Sequence, residues 1–137
     1  MEKEDLLFEI EFLEGIRARE PDNVEVLTLL GHDYTQAGLL PQGLEMDLRL
    51  ASLRPFEPIV HYNLACSLSL TGDTDGAVQA LEKAIALGYT DHQHLLGDPD
   101  LAALRGDPRF ASLLTRLLRA VRRRAKARVS SEKDQGQ

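Results

Sequence analysis

Apolar residues recur along this chain every three to four positions and nowhere alternate with the two-residue period of a strand, a pattern that predicts an all-α protein. Residues 4 to 19 are the first helical stretch. Glu2, Glu4 and Asp5 stand at its start and Arg17 and Arg19 at its end, the signs that favour the helix dipole. Pro21 stops it. A second helix is predicted over 24 to 37, carrying Leu27, Leu30 and Tyr34, and Gly38 ends it because glycine accepts the left-handed conformation just past a helix. A third runs from Pro41, where a missing N–H is no loss in the first turn, to Arg54 before Pro55. Residues 58 to 71 and 74 to 87 repeat this layout around Gly72. Turns so short make each helix pair antiparallel.

The layout recurs at a fixed step. Pro21, Pro55 and Tyr89 are spaced 34 residues apart, and the same step joins Leu30 to Leu64, Gly38 to Gly72 and Gly43 to Ala77. Leu30-Gly31, Tyr34, Gly38, Gly43 and Pro55 in one unit, and Asn63-Leu64-Ala65, Leu68, Gly72, Ala77, Leu81, Ala84 and Tyr89 in the next, resemble tetratricopeptide repeats. The resemblance covers repeats at about 24–57 and 58–91, and residues 10 to 21 are similar to the second helix of a half repeat before them. It implies a short solenoid in which the first helix of each pair lines a concave groove. Gly31, Gly43, Ala65 and Ala77 are the small residues needed where helices cross closely. The chain departs from the family pattern at Leu27 and His61, where a large aromatic is usual, at Asp47, which replaces a core aromatic, and at Leu50, which replaces a small alanine.

Beyond Tyr89 the register lapses. Asp98-Pro99 and Asp107-Pro108 each place a good N-cap before a proline, predicting a short helix near 100–104 and a long one from Pro108. Residues 98 to 114 resemble the ending that follows tetratricopeptide arrays in many bacterial proteins. Phe110, Leu113, Leu114, Leu117, Leu118 and Val121 form one apolar stripe able to cover the last repeat. The expectation is a single domain over 1–128, closed by this long capping helix, with a disordered tail over 129–137.

Composition narrows the function. With 137 residues, 43% of them apolar, the chain can bury one short stack. Cys66 stands alone, so no internal disulfide forms. No apolar run approaches the roughly twenty residues of a membrane span, and the acidic start does not read as a signal peptide, so a cytoplasmic protein is expected. Charge is polarised: residues 1–100 carry 19 acidic and 6 basic side chains, whereas 101–128 carry one acidic and nine basic ones.

Nothing in the sequence assembles a catalytic constellation. His92 and His94 are two apart and face different ways on a helix, and no Cys-x-x-Cys, glycine-rich phosphate loop or serine elbow is present. The protein is therefore read as not an enzyme, with no cofactor and no metal. If the family geometry holds, the groove wall comprises Thr28, His32, Thr35 and Gln36 from one repeat, and Ile59, Tyr62, Asn63, Cys66 and Ser69 from the next. Glu25 of the first and Leu70 of the second belong to the same wall. Such a wall, mildly polar with Tyr62 as aromatic anchor, suits an extended or helical segment of an unidentified partner protein. Tyr62 and Asn63 are expected to be open to solvent, with Cys66 an inert buried thiol. The competing expectation is that residues 90–107 of the same chain fill the groove.

Asn63 matches one asparagine of the family members that clamp chaperone C-termini, but Thr28 and His32 replace a basic residue and a second asparagine, which disfavours that role. The seven positive charges of residues 116–128 offer a second reading, binding of nucleic acid or anionic membrane. The acidic body opposes it, and no aromatics interleave the arginines. Finally, Phe8 and Phe12 lie outside the arc one neighbouring helix can cover, so a homodimer through the first helix is expected, preferably two-fold.

Overall fold

A computed structural model describes residues 2–135 as seven α-helices and one short 3-10 helix, with no strand among the described residues. The α-helices are α1 (Lys3–Arg19), α2 (Val24–Gln36), α3 (Leu40–Leu53), α4 (Pro58–Leu70), α5 (Thr74–Leu87), α6 (His92–Gly97) and α7 (Pro108–Gln135), and the 3-10 helix spans Pro99–Leu104. The fold is thus all-α. Helices α2 and α4 occupy equivalent positions in the 34-residue register, as do α3 and α5, so the period of the sequence is carried by the backbone.

Local chemistry sets the boundaries. Asn23 caps α2 by accepting from the Val26 N–H, and Asp73 caps α5 by accepting from the Gly76 N–H. Gly38 and Gly72, in the turns within each pair, adopt φ of 78° and 89°, which a side chain would strain.

From α1 to α5 each helix packs on its neighbour in chain order, and the apolar faces form two cores. The first joins Leu6, Ile10 and Leu13 of α1 to Leu27, Leu30 and Tyr34 of α2 and Met46 and Leu50 of α3. The second joins Leu64 and Ala65 of α4 to Leu81 and Ala84 of α5, and is closed by Leu101 and Leu104 of the 3-10 helix and by Phe110, Leu113 and Leu117 of α7. Leu114, Leu118 and Val121 are half-buried beside them, so the predicted stripe does lie against the stack. Close approach at the crossings needs the small residues. A Cβ on Gly43 would stand 2.7 Å from Thr35 Oγ1, and one on Gly31 would stand 3.3 Å from Asp47 Oδ1, while Ala65 and Ala77 are fully buried.

Two expectations are corrected. Residues 92–97, where the register lapses and no element is predicted, form α6, whose first turn is capped by Asp91 accepting from the His94 N–H. The tail expected to be disordered from 129 instead continues α7 through Gln135. Propagating a helix already nucleated in its packed half adds one hydrogen bond per residue without a new nucleation cost. The last two residues of that tail lie outside the described part of the chain.

Candidate functional site

Residues 92–105 of the chain cover part of the surface between α2 and α4. Facing surfaces of α2 and α4 bound an open trough of about 560 Å³, in which Thr28, His32, Thr35, Ile59, Tyr62, Asn63, Cys66 and Leu70 line the wall together with His94, Asp98 and Asp100. Glu25, Gln36 and Ser69, although placed there by the sequence reading, are not part of the wall. Ser69 is buried with an unpartnered Oγ, and Gln36 is exposed elsewhere.

The open half belongs to α2 and the start of α4. Thr28 and His32 are exposed on successive turns, and the Thr28 hydroxyl donates to the Val24 carbonyl at 2.8 Å. Thr35 is half-buried, its hydroxyl donating to the Gly31 carbonyl at 3.0 Å. Opposite them Ile59 is 52% exposed, Asn63 is exposed, and Leu29 of α2 is 43% exposed. Apolar surface left open in a concave wall marks a place where another chain can pack.

Tyr62 corrects the sequence reading: it is only 2% exposed and cannot act as an accessible anchor. Its ring stacks on Tyr89 at 4.4 Å between centroids, and the tilted His94 ring lies 5.6 Å from it. The Tyr62 hydroxyl donates to Asp98 Oδ2 at 2.6 Å. Burial, reinforced by that hydrogen bond, pushes the phenol well above its ordinary pKa and keeps it a donor. Asp98 also accepts from the Asp100 N–H through Oδ1 at 3.0 Å, capping the 3-10 helix, while the Cys66 thiol lies 3.6 Å and His94 Nε2 3.4 Å from Oδ2. Arg105 donates to the carbonyls of Leu96 and Asp98 and ties the segment to itself. One buried carboxylate therefore fastens residues 92–105 over the second-repeat half of the groove.

Cys66, Asp98 and Asp100 bring one ligand atom each within 4.8 Å of one another. Burial, followed by the charges of Asp98 and Asp100, raises the Cys66 thiol far above its usual range, so it stays protonated as a weak donor. Burial and the Asp98 charge likewise raise the pKa of Asp100. With Asp98 already engaged by Tyr62 and by backbone, the three residues act as a hydrogen-bonded fastening, and no metal is assigned to them.

Sequence reasoning missed Asp98 as a groove residue, reading it only as an N-cap. Its second oxygen takes up Tyr62 across 36 residues of chain, a contact with no local signature.

At the other end of the molecule Arg116, Arg119, Arg122 and Arg123 line one shallow face of α7 with Ser112 and Thr115. Arg116 pairs with Glu82 at 3.6 Å and Arg124 donates to the Gly88 carbonyl at 3.3 Å, while Arg119, Arg122 and Arg123 are exposed. Phe8 and Phe12 are 72% and 61% exposed, as the arc argument expects of residues that no neighbouring helix covers. No helix among the described residues is long and apolar enough to cross a membrane.

No protein-family model and no solved structure matches the chain. It is similar to a chloroplastic protein of Arabidopsis thaliana, with 38% identity over 87 residues, which cover 61% of this chain and 26% of that protein. The match therefore spans about a quarter of the length of that relative.

Proposed function

We propose that this chain is a non-catalytic interaction module of the tetratricopeptide-repeat kind, which holds a segment of a partner protein in the open half of the groove between α2 and α4. The observation that carries the reading is the exposed pair Ile59 and Leu29 set in a trough beside the exposed polar side chains Thr28, His32 and Asn63. Such a wall takes apolar side chains of a bound segment at one point and satisfies its backbone through Thr28, His32 and Asn63. The carboxylates of Glu57 and Asp100 border the trough, so the segment it prefers carries lysine or arginine. Selection from a displayed random-peptide library with the full chain tests this. Cationic sequences with an apolar residue should be enriched and should lose binding to Ile59→Glu. Enrichment of acidic sequences, or selected peptides indifferent to Ile59→Glu, would sink the groove assignment.

A second reading rests on the row formed by Arg119, Arg122 and Arg123, which the continued helix keeps on one exposed face. It would make α7 an arm for a polyanion, nucleic acid or anionic membrane. Salt-dependent retention on heparin that disappears on truncation after Val121, with the groove variant unaffected, distinguishes it from the first.

A further inference from the structure

The exposed face of α1 is arranged as one half of a self-complementary contact. Down this face run Glu4, Phe8, Phe12, Gly15 and Arg19, spaced three or four apart and therefore aligned on one side of the helix. All five are exposed. About the midpoint between Glu11 and Phe12 the outer two pairs are symmetric in position and opposite in character, Phe8 balancing Gly15 and Glu4 balancing Arg19, while Phe12 itself is balanced by the exposed Glu11. Laid antiparallel on a second copy about a two-fold axis through that midpoint, the outer aromatic meets the glycine and the acid meets the base, with the two Phe12 rings beside the axis.

We propose that the occupant of this face is the α1 helix of a second copy of this chain, paired antiparallel so that Phe8 seats on Gly15 of the other protomer and Glu4 faces its Arg19. Three further observations bear on it. A Cβ built on Gly15 meets nothing within 4 Å, so the helix surface there is bare backbone, open to an aromatic ring. Neither Glu4 nor Arg19 has an ion-pair partner among the described residues, and some 22 Å of helix separates them, so neither serves the other within one chain. Leu29 of α2 continues the apolar surface to one side, in a hollow of about 470 Å³ that it shares with Phe8 and Phe12. This surface shares Leu29 with the groove, but Glu4, Phe8, Gly15 and Arg19, which are varied below, lie outside the groove wall.

A single helix pair lies at or below the small end of specific interfaces, about 1,200 Å² in all, so the dimer exchanges and its population follows concentration in the micromolar range. Sedimentation equilibrium of the full chain over that range reads it directly. Arg19→Glu should raise the dissociation constant roughly tenfold or more, because it sets like charges face to face twice across the axis. Glu4→Arg should do the same, and the double variant Glu4→Arg with Arg19→Glu should dimerise again. Gly15→Leu, which fills the seat without touching its own chain, should abolish the pair. Circular dichroism confirms that each variant keeps its helices, and Phe8→Ala supplies an independent disruption if a charge variant does not fold. A wild type monomeric throughout the range overturns the proposal, as does a dimer that survives Gly15→Leu. Failure of the double reversal to restore what each single reversal removed would show that the pairing is not this antiparallel one.

Discussion

The Asp47 carboxylate is buried between α3 and α4 and accepts from the Ser67 hydroxyl, where the next unit of the 34-residue register has the apolar Leu81. Burial is the larger influence and Ser67 the smaller, opposing one, with the outcome that the Asp47 pKa is pushed up to about 6 from 3.8. Because the folded value lies above the unfolded one, the fold binds the proton more tightly than the open chain does. The contribution is fully present below about pH 4 and is lost as pH rises through about 6. Asp33, raised to about 6 by burial and by the neighbouring Glu9 carboxylate, acts in the same direction between α1 and α2. Asp47→Asn should therefore be the more stable protein at neutral pH, by up to about 3 kcal/mol, with the difference shrinking as the carboxylate protonates. Urea unfolding of the two proteins across this window measures it, and a gap independent of pH would show that Asp47 does not titrate in the fold. Tyr62→Phe, by contrast, removes a donor from a buried carboxylate, and its cost of roughly 1.5–3 kcal/mol should appear as a lowered urea midpoint. A loss under about half a kcal/mol would mean that water takes the place of the phenol.

Elements were legible in the sequence wherever periodicity and a terminator coincide. The starts and ends of α1 through α5 follow from Pro21, Gly38, Pro55 and Gly72, and the α7 stripe from Phe110 to Val121 packs as its spacing implies. Helix α6 was not legible, because His92-Gln93-His94 has no apolar face and Leu95 alone among its six residues is buried. The groove was half legible for a related reason. The resemblance to the repeat family places Tyr62 on the concave wall, yet only the return of the chain at Asp98 decides that it is covered. At the crossings, substitution tests the stack itself. Ala77 is fully buried, and Ala77→Leu should cost roughly 1–3 kcal/mol by forcing extra volume between α4 and α5, read as a lower thermal midpoint. An unchanged midpoint would contradict the close approach described above. Removing residues 129–137, whose described side chains are exposed, should in turn leave stability within about 0.5 kcal/mol.

At the scale of the whole molecule, charge and support divide at the same place. The stack carries most of the acidic residues, whereas α7 carries most of the arginines and is packed on the stack by Phe110, Leu113 and Leu117 and, less tightly, by Val121. From Arg122 to Asp134 every side chain is exposed. This arm, about 20 Å long, is too short to be a stable helix by itself, so it is nucleated by the packed half and merely propagated beyond it. Like charges one turn apart, Arg119 with Arg123, Arg122 with Lys126 and Arg124 with Arg128, oppose that propagation. The winding of the arm is therefore sensitive to the surrounding ionic atmosphere. Added salt screens the repulsion and should tighten it, so the helical signal of the full chain minus that of a truncation after Val121 should grow with ionic strength. A polyanion should produce the same gain at far lower concentration than simple salt, since neutralising several arginines at once relieves every repulsive pair together.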